Sequence, residues 1–111
     1  MQALLKVDKF AFTFFDAAPV DGTVTVCVRS PLAGTINSST TDVDSGTVSV
    51  VVKINTTAVT GNDGPIAVTS TKATTNATAA NTIAIGDEIN ITYSAASTPV
   101  NFRLSVNCTR A

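Results

Sequence analysis

Thr47-Val48-Ser49-Val50-Val51-Val52-Lys53-Ile54-Asn55 alternates apolar and polar side chains with a period of two, interrupted only at Val51. Successive side chains of an extended strand point to opposite faces, so Val48, Val50, Val52 and Ile54 line one face. The period is two rather than the 3.6 of a helix. Its β-branched side chains also fit a pleated surface better than a helix. The segment is therefore read as a strand with Val48, Val50, Val52 and Ile54 turned inward.

Working outward, the same period recurs. Toward the C-terminus, Gly61-Asn62-Asp63-Gly64-Pro65 is a dense turn signal, followed by a strand over Ile66 to Lys72. The Ala/Thr/Asn-rich segment 73–81 reads as loop. Thr82 to Ile85 is a short strand and Gly86-Asp87 a turn. Glu88-Ile89-Asn90-Ile91-Thr92-Tyr93-Ser94 alternates again, which puts Tyr93 in register with Ile89 and Ile91 as core. After Pro99, Val100, Phe102, Leu104, Val106 and Cys108 share the inner face of a last strand.

Toward the N-terminus, Asp42 to Gly46 is a turn and Thr35 to Thr41 a polar strand placed at a sheet edge. Ser30 to Gly34 is another turn. Thr23 to Arg29 is a strand with Val24, Val26 and Val28 on one face and Cys27 on the other. Phe10 to Phe15 is the first strand. Residues 1–9 read as an N-terminal arm and 10–111 as a single domain. Eight short strands separated by turn signals predict an all-β fold, an antiparallel β-sandwich of the eight-stranded jelly-roll type.

Composition narrows the function. Charged residues make up 14% of the chain and the net charge is −1, against about 25% charged in an average domain. Lys and Arg form no cluster, so non-specific nucleic-acid binding is not expected. No stretch approaches the ~20 apolar residues of a membrane span. The first nine residues lack a signal peptide's apolar run, so the five Asn-x-Ser/Thr matches, at Asn37, Asn55, Asn76, Asn90 and Asn107, are read as products of Asn and Thr abundance. Cys27 and Cys108 fall on opposite faces by alternation, which argues against a bridge unless a bulge intervenes. Two free thiols made in a reducing compartment are the simpler reading.

Chemistry is hard to place. The sequence has no His, which removes imidazole-based triads and most zinc sites. Neither GxxxxGK[ST] nor GxGxxG occurs. Asp42, Asp44 and Gly46 begin like a calcium loop, but Lys53 stands where an EF-hand needs Glu. Asp87 and Glu88 are neighbours on an extended segment and point apart, so they do not flank one bond as glycosidase carboxylates do. No catalytic, cofactor-binding or metal-ligating residue is assigned. With no Trp and a single Tyr read as core, a stacking platform for sugars is also missing.

The unusual feature is Phe10-Ala11-Phe12-Thr13-Phe14-Phe15, which holds four of the five phenylalanines. Phe10, Phe12 and Phe14 point one way and Phe15 the other. Each exposed Phe costs roughly 1.5–3 kcal/mol. Either one face lies on the core with Phe15 packed under the loop to Pro19, or part of the segment is covered by a partner. On the second reading Phe10, Phe12, Phe14 and Phe15 form the partner interface.

Four stretches together carry a resemblance: Ser30 to Ile36, Ser45 to Asn55, Ile85 to Ile91, and the closing strand that ends at Arg110. They resemble the small β-sandwich module common in tailed-phage virion proteins, over roughly residues 20 to 111. Such modules occur in tail fibres and as free-standing capsid decoration proteins. In size and class the chain is most similar to the jelly-roll staple proteins of short-tailed phages of the epsilon-fifteen type. That resemblance implies a protein made in the host cytoplasm and placed on the outer capsid surface. Its partners would be the major capsid protein, whose neighbouring subunits it clamps, and itself, as a homodimer. The alternative is a receptor- or glycan-binding domain of a tail fibre or tail tip.

Overall fold

The computed structural model describes residues 8–111. Ten strands alternate with turns, and no helix occurs among the described residues. They are β1 (Lys9–Asp16), β2 (Gly22–Cys27), β3 (Gly34–Asp42), β4 (Ser45–Ile54), β5 (Thr57–Ala58), β6 (Ile66–Val68), β7 (Ala73–Asn76), β8 (Thr82–Ile83), β9 (Ile89–Val100) and β10 (Phe102–Arg110). All named pairings are antiparallel. The first sheet runs β1-β10-β3-β7, with β8 also on β3. The second runs β2-β9-β4-β5, with β6 also on β4. Two antiparallel sheets packed face to face make a β-sandwich. The short strands β5 and β6 both pair with β4, and β7 and β8 both pair with β3.

The core lies between the sheets and follows the predicted alternation most closely on β4. Val48, Val50, Val52 and Ile54 are all buried, as are Ile89, Ile91 and Tyr93 opposite them. From the first sheet Phe102, Leu104, Val106 and Cys108 close the layer. Each such side chain contributes about 1.5–3 kcal/mol by leaving water. Tyr93 packs edge-on against Phe102 with ring centroids 5.4 Å apart.

The structure corrects the expected strands where a bulge changes the phase. Thr35 to Thr41 is not an edge: β3 lies inside its sheet, between β10 and β7/β8. Its pairing with β10 slips between Asn107 and Cys108, so Ile36, Ser39 and Thr41 all face inward. One extra residue inverts every later side chain, and that hid the buried face of this polar strand. A slip between Thr25 and Cys27 does the same to β2. Cys27 packs against the core, while Val28, expected beside Val24 and Val26, is exposed. The bulge does not yield a bridge, and both cysteines are free. Burial pushes the Cys108 thiol up to about 11.

Other boundaries move for local reasons. Ala73 to Asn76, expected as loop, pairs with β3, and Thr74 and Thr40 share a hydroxyl hydrogen bond of 2.9 Å. The strand expected over Ile66 to Lys72 ends at Val68. Val100 is exposed rather than inner, because left-handed Asn101 (φ 56°) turns the chain from the second sheet into the first. Gly46 (φ 75°) lies so close to the Thr98 carbonyl that no Cβ fits. Of the expected arm, residues 1–7 lie outside the described residues and Lys9 opens β1.

Candidate interaction surface

β1 forms one margin of the first sheet, paired with β10 from Lys9↔Thr109 to Asp16↔Phe102 without a break. The four phenylalanines divide as their alternation requires. Phe10, Phe12 and Phe14 are half-buried against the core, and Phe10 and Phe12 meet edge-on at 5.6 Å. Gly34 makes room for this, since a Cβ there would press on the Phe10 ring at 3.0 Å. Phe15 faces out and is 58% exposed. It is not packed under the following loop, where Pro19 itself is buried. The strand's end is tied to the other sheet by the Tyr93 hydroxyl, which donates to Asp16 at 3.0 Å. Burial and this neighbouring carboxylate push the phenol pKa up.

The outer face of the first sheet is nearly uncharged. Hydroxyls and amides tile it in rows across the strands: Thr13, Ser105, Thr40 and Thr74, then Ala11, Asn107, Ser38 and Asn76. The Asn107 amide donates to Ser38 and Thr40 at 3.1 Å each and accepts from Ser105 at 2.8 Å. Two hollows of about 660 and 470 Å³ lie along this face and share Thr40. The larger is floored by Arg103 and Ser105 and walled by Thr13, Phe15, Asp42 and Lys72.

Arg103 anchors the charged corner. Its guanidinium reaches Asp42 at 2.8 Å and Asp44 at 2.6 Å, and Asn101 donates to Asp44 at 2.7 Å. The Asn101 and Arg103 hydrogen bonds hold the Asp44 carboxyl below the usual carboxylate range. The two aspartates thus face a cation from the neighbouring strand β10, which is distant only in sequence. Asp87 closes its own turn, accepting from the Ala84 amide at 2.8 Å and from Asn55 at 3.2 Å, which lowers its pKa. Glu88 instead accepts from Asn90 at 2.8 Å, so the two neighbours serve different partners. No group of three or more His, Cys, Asp or Glu that would hold a metal occurs among the described residues. Among the described residues no helix is long and apolar enough to cross a membrane.

Sequence reasoning missed two residues that set this architecture. Asn62, read only as part of a turn, is fully buried. It accepts from Ser39 at 2.7 Å and donates to the carbonyls of Thr75 and Asn76, tying the β5–β6 connection to β3 and β7. Arg103 lies by alternation on the outer side of the last strand. Neither carries a spacing signal, since their partners lie elsewhere in the chain.

Comparison with known proteins finds no family model, no curated protein and no solved structure that matches this chain.

Proposed function

We propose that the domain is a structural protein of a tailed-phage virion, a jelly-roll decoration or staple protein that clamps neighbouring major capsid subunits from outside. The observation that carries this reading is the strand order. Along the chain, β1 pairs with β10, β2 with β9, β3 with β7/β8 and β4 with β5/β6. These four pairs nest inside one another, and rolling the nest into two sheets adds β10·β3 and β9·β4. That order supports reading the sandwich as a jelly roll, which has a double Greek-key plan.

The outer surface supports the same reading. It is low in charge, tiled by Thr, Ser and Asn, and bordered by a strand that displays Phe15. Such a surface suits broad protein contact with a polar rim better than turnover of a substrate. Stabilisation of the shell follows by mass action, because a staple that binds the assembled shell and not its parts shifts the balance toward assembly.

The hollow beside Phe15, Lys72 and Arg103 favours a second reading, a tail-tip domain that binds glycans through hydroxyl and amide groups. Quantifying and locating the protein on purified particles separates the two. A copy number comparable with the major capsid protein, with density on the outer shell, is expected. A handful of copies at the tail tip, together with saturable binding on a glycan array, would reject the staple.

A further inference from the structure

One cross-strand row on the outer face of the second sheet differs in chemistry from its neighbours. Thr25 on β2, Asn90 on β9 and Lys53 on β4 stand side by side in register. Asn90 lies between the other two and is only 6% exposed, although alternation turns it away from the core. Each polar atom of its amide is held. The oxygen accepts from the Thr25 hydroxyl at 2.8 Å. The nitrogen donates to the Asn55 carbonyl at 2.9 Å and to a Glu88 carboxylate oxygen at 2.8 Å. Two acceptors beside the nitrogen and a hydroxyl beside the oxygen fix which end is which. Such partners lie near the plane of the amide, so its carbonyl carbon stays approachable from above or below that plane.

Lys53 supplies a nucleophile for that approach. Of the lysines on described strands, Lys9 pairs with Thr109, whereas Lys53 pairs with Asn90. The Asn55 amide donates to the Glu88 carbonyl, while Val52 bonds away from β9, toward Asn62 and Val59. Odd-numbered residues at this end of β4 therefore bond to β9, and Lys53 and Asn90 form a directly opposed, hydrogen-bonded pair. Cβ atoms of opposed residues lie about 4.5–5.5 Å apart, a gap that the four-carbon stem of a lysine spans. Among the described residues the Lys53 ammonium forms no ion pair, so no carboxylate holds it away from the amide.

We propose that Lys53 and Asn90 join in an isopeptide bond within the chain, with Glu88 moving the protons and Thr25 holding the oxyanion. Glu88 takes a proton from the Lys53 ammonium, and the neutral amine attacks Cγ of Asn90. Negative charge gathers on Oδ1, where the Thr25 hydroxyl already donates. Glu88 then protonates Nδ2, the Cγ–Nδ2 bond breaks and ammonia departs. The surplus proton on the new amide nitrogen leaves through Glu88 and ends on the ammonia. In sum, an ammonium and a primary amide become a secondary amide and an ammonium ion, and no oxidant or reductant is consumed. The bond ties β4 to β9, the two central strands of the second sheet. It is internal to the fold and stands apart from whatever the domain docks on.

Mass spectrometry of the full chain, folded and incubated at mildly alkaline pH and then denatured and reduced, tests this. The intact chain is expected at its sequence mass less one ammonia. Trypsin does not cleave after an acylated lysine, so residues 30–72 should appear as one peptide, joined to residues 73–103. Lys53→Arg sets a cation that stays protonated at the same place and should keep the full mass. Glu88→Gln preserves an acceptor for Asn90 but carries no proton, and should slow the link by about a hundredfold or more. Circular dichroism checks that each variant remains a folded β protein, and the wild-type mass decides the matter even where a variant does not fold. A wild-type chain that keeps its full mass, an Asn90 merely hydrolysed to Asp, a link between other residues, or an equally fast link in Glu88→Gln would overturn the proposal.

Discussion

β1 and β2 are the outer strands at corresponding margins of the two sheets, and in sequence both are runs of alternating β-formers. Their edges differ. β2 carries Gly22 and a bulge before Cys27, and its outward threonines are tied to the neighbouring strand, Thr23 to Thr92 at 2.9 Å and Thr25 to Asn90 at 2.8 Å. β1 is straight and uncharged through its middle and ends on exposed Phe15. The contrast teaches that alternation specifies a strand but not whether its far edge is closed. Closure depends on bulges and partners, and these differ most between the two margins.

The largest effect should come from removing one side of the comparison. Deleting residues 1–15 takes away β1 and uncovers the core faces of Val106 and Leu104, so cooperative thermal unfolding should be lost. Deleting residues 1–8 removes none of the described strands and should leave the unfolding transition in place. Equal unfolding of both truncations would show that β1 is an appendage.

At the opposite margin of the first sheet, Asn62→Leu strands the Ser39 hydroxyl and the carbonyls of Thr75 and Asn76. Each unsatisfied buried group costs about 1–3 kcal/mol, so urea titration should show a loss of roughly 3–5 kcal/mol. A loss under ~1 kcal/mol would mean that β7 is not held by this side chain.

Within β1 the two faces should separate. Phe12→Ala should cost about 2 kcal/mol, less than the 3–5 typical of a fully buried Phe. Phe15→Ser should stay within about 0.5 kcal/mol, as for an ordinary surface site. Equal costs would contradict the assigned faces.

The smallest effect is pH dependence, and it lies in the connections rather than at either edge. Asp44 and Asp87 have pKa values below their ordinary 3.8 in the folded state. Their contribution is present above that value and is lost as pH falls through the lowered ones. Cys108 is shifted the other way, from 9.0 to about 11, so its contribution is complete below pH 9 and is lost as pH rises toward 11. Stability measured by denaturant titration should be level across the neutral range, with a decline below about pH 4 and another above pH 9. A decline beginning near pH 6 would point to a group not identified in this fold.

The all-β class and the inner faces of β4, β9 and most of β10 were legible because their alternation is unbroken. Val48, Val50, Val52, Ile54, Ile89, Ile91 and Tyr93 are buried as their spacing requires. Reading failed where geometry depends on a partner strand. The bulges at Asn37 and at Val26 inverted β3 and the end of β2, and nothing in Thr-Val-Thr-Val-Cys-Val marks the slip. The left-handed turn at Asn101 exposed Val100. The division of Phe10, Phe12 and Phe14 from Phe15 was legible. The contrast between the β1 and β2 edges was not, because it emerges only once every strand has a neighbour.

Residue-resolved amide hydrogen exchange along β1, measured by NMR in dilute solution, tests the contrast between the two margins most directly. The amides of Phe10, Phe12 and Phe14 should be protected by β10, and those of Ala11, Thr13 and Phe15 should exchange quickly. Even-numbered amides that exchange as fast as the odd-numbered ones would contradict the account.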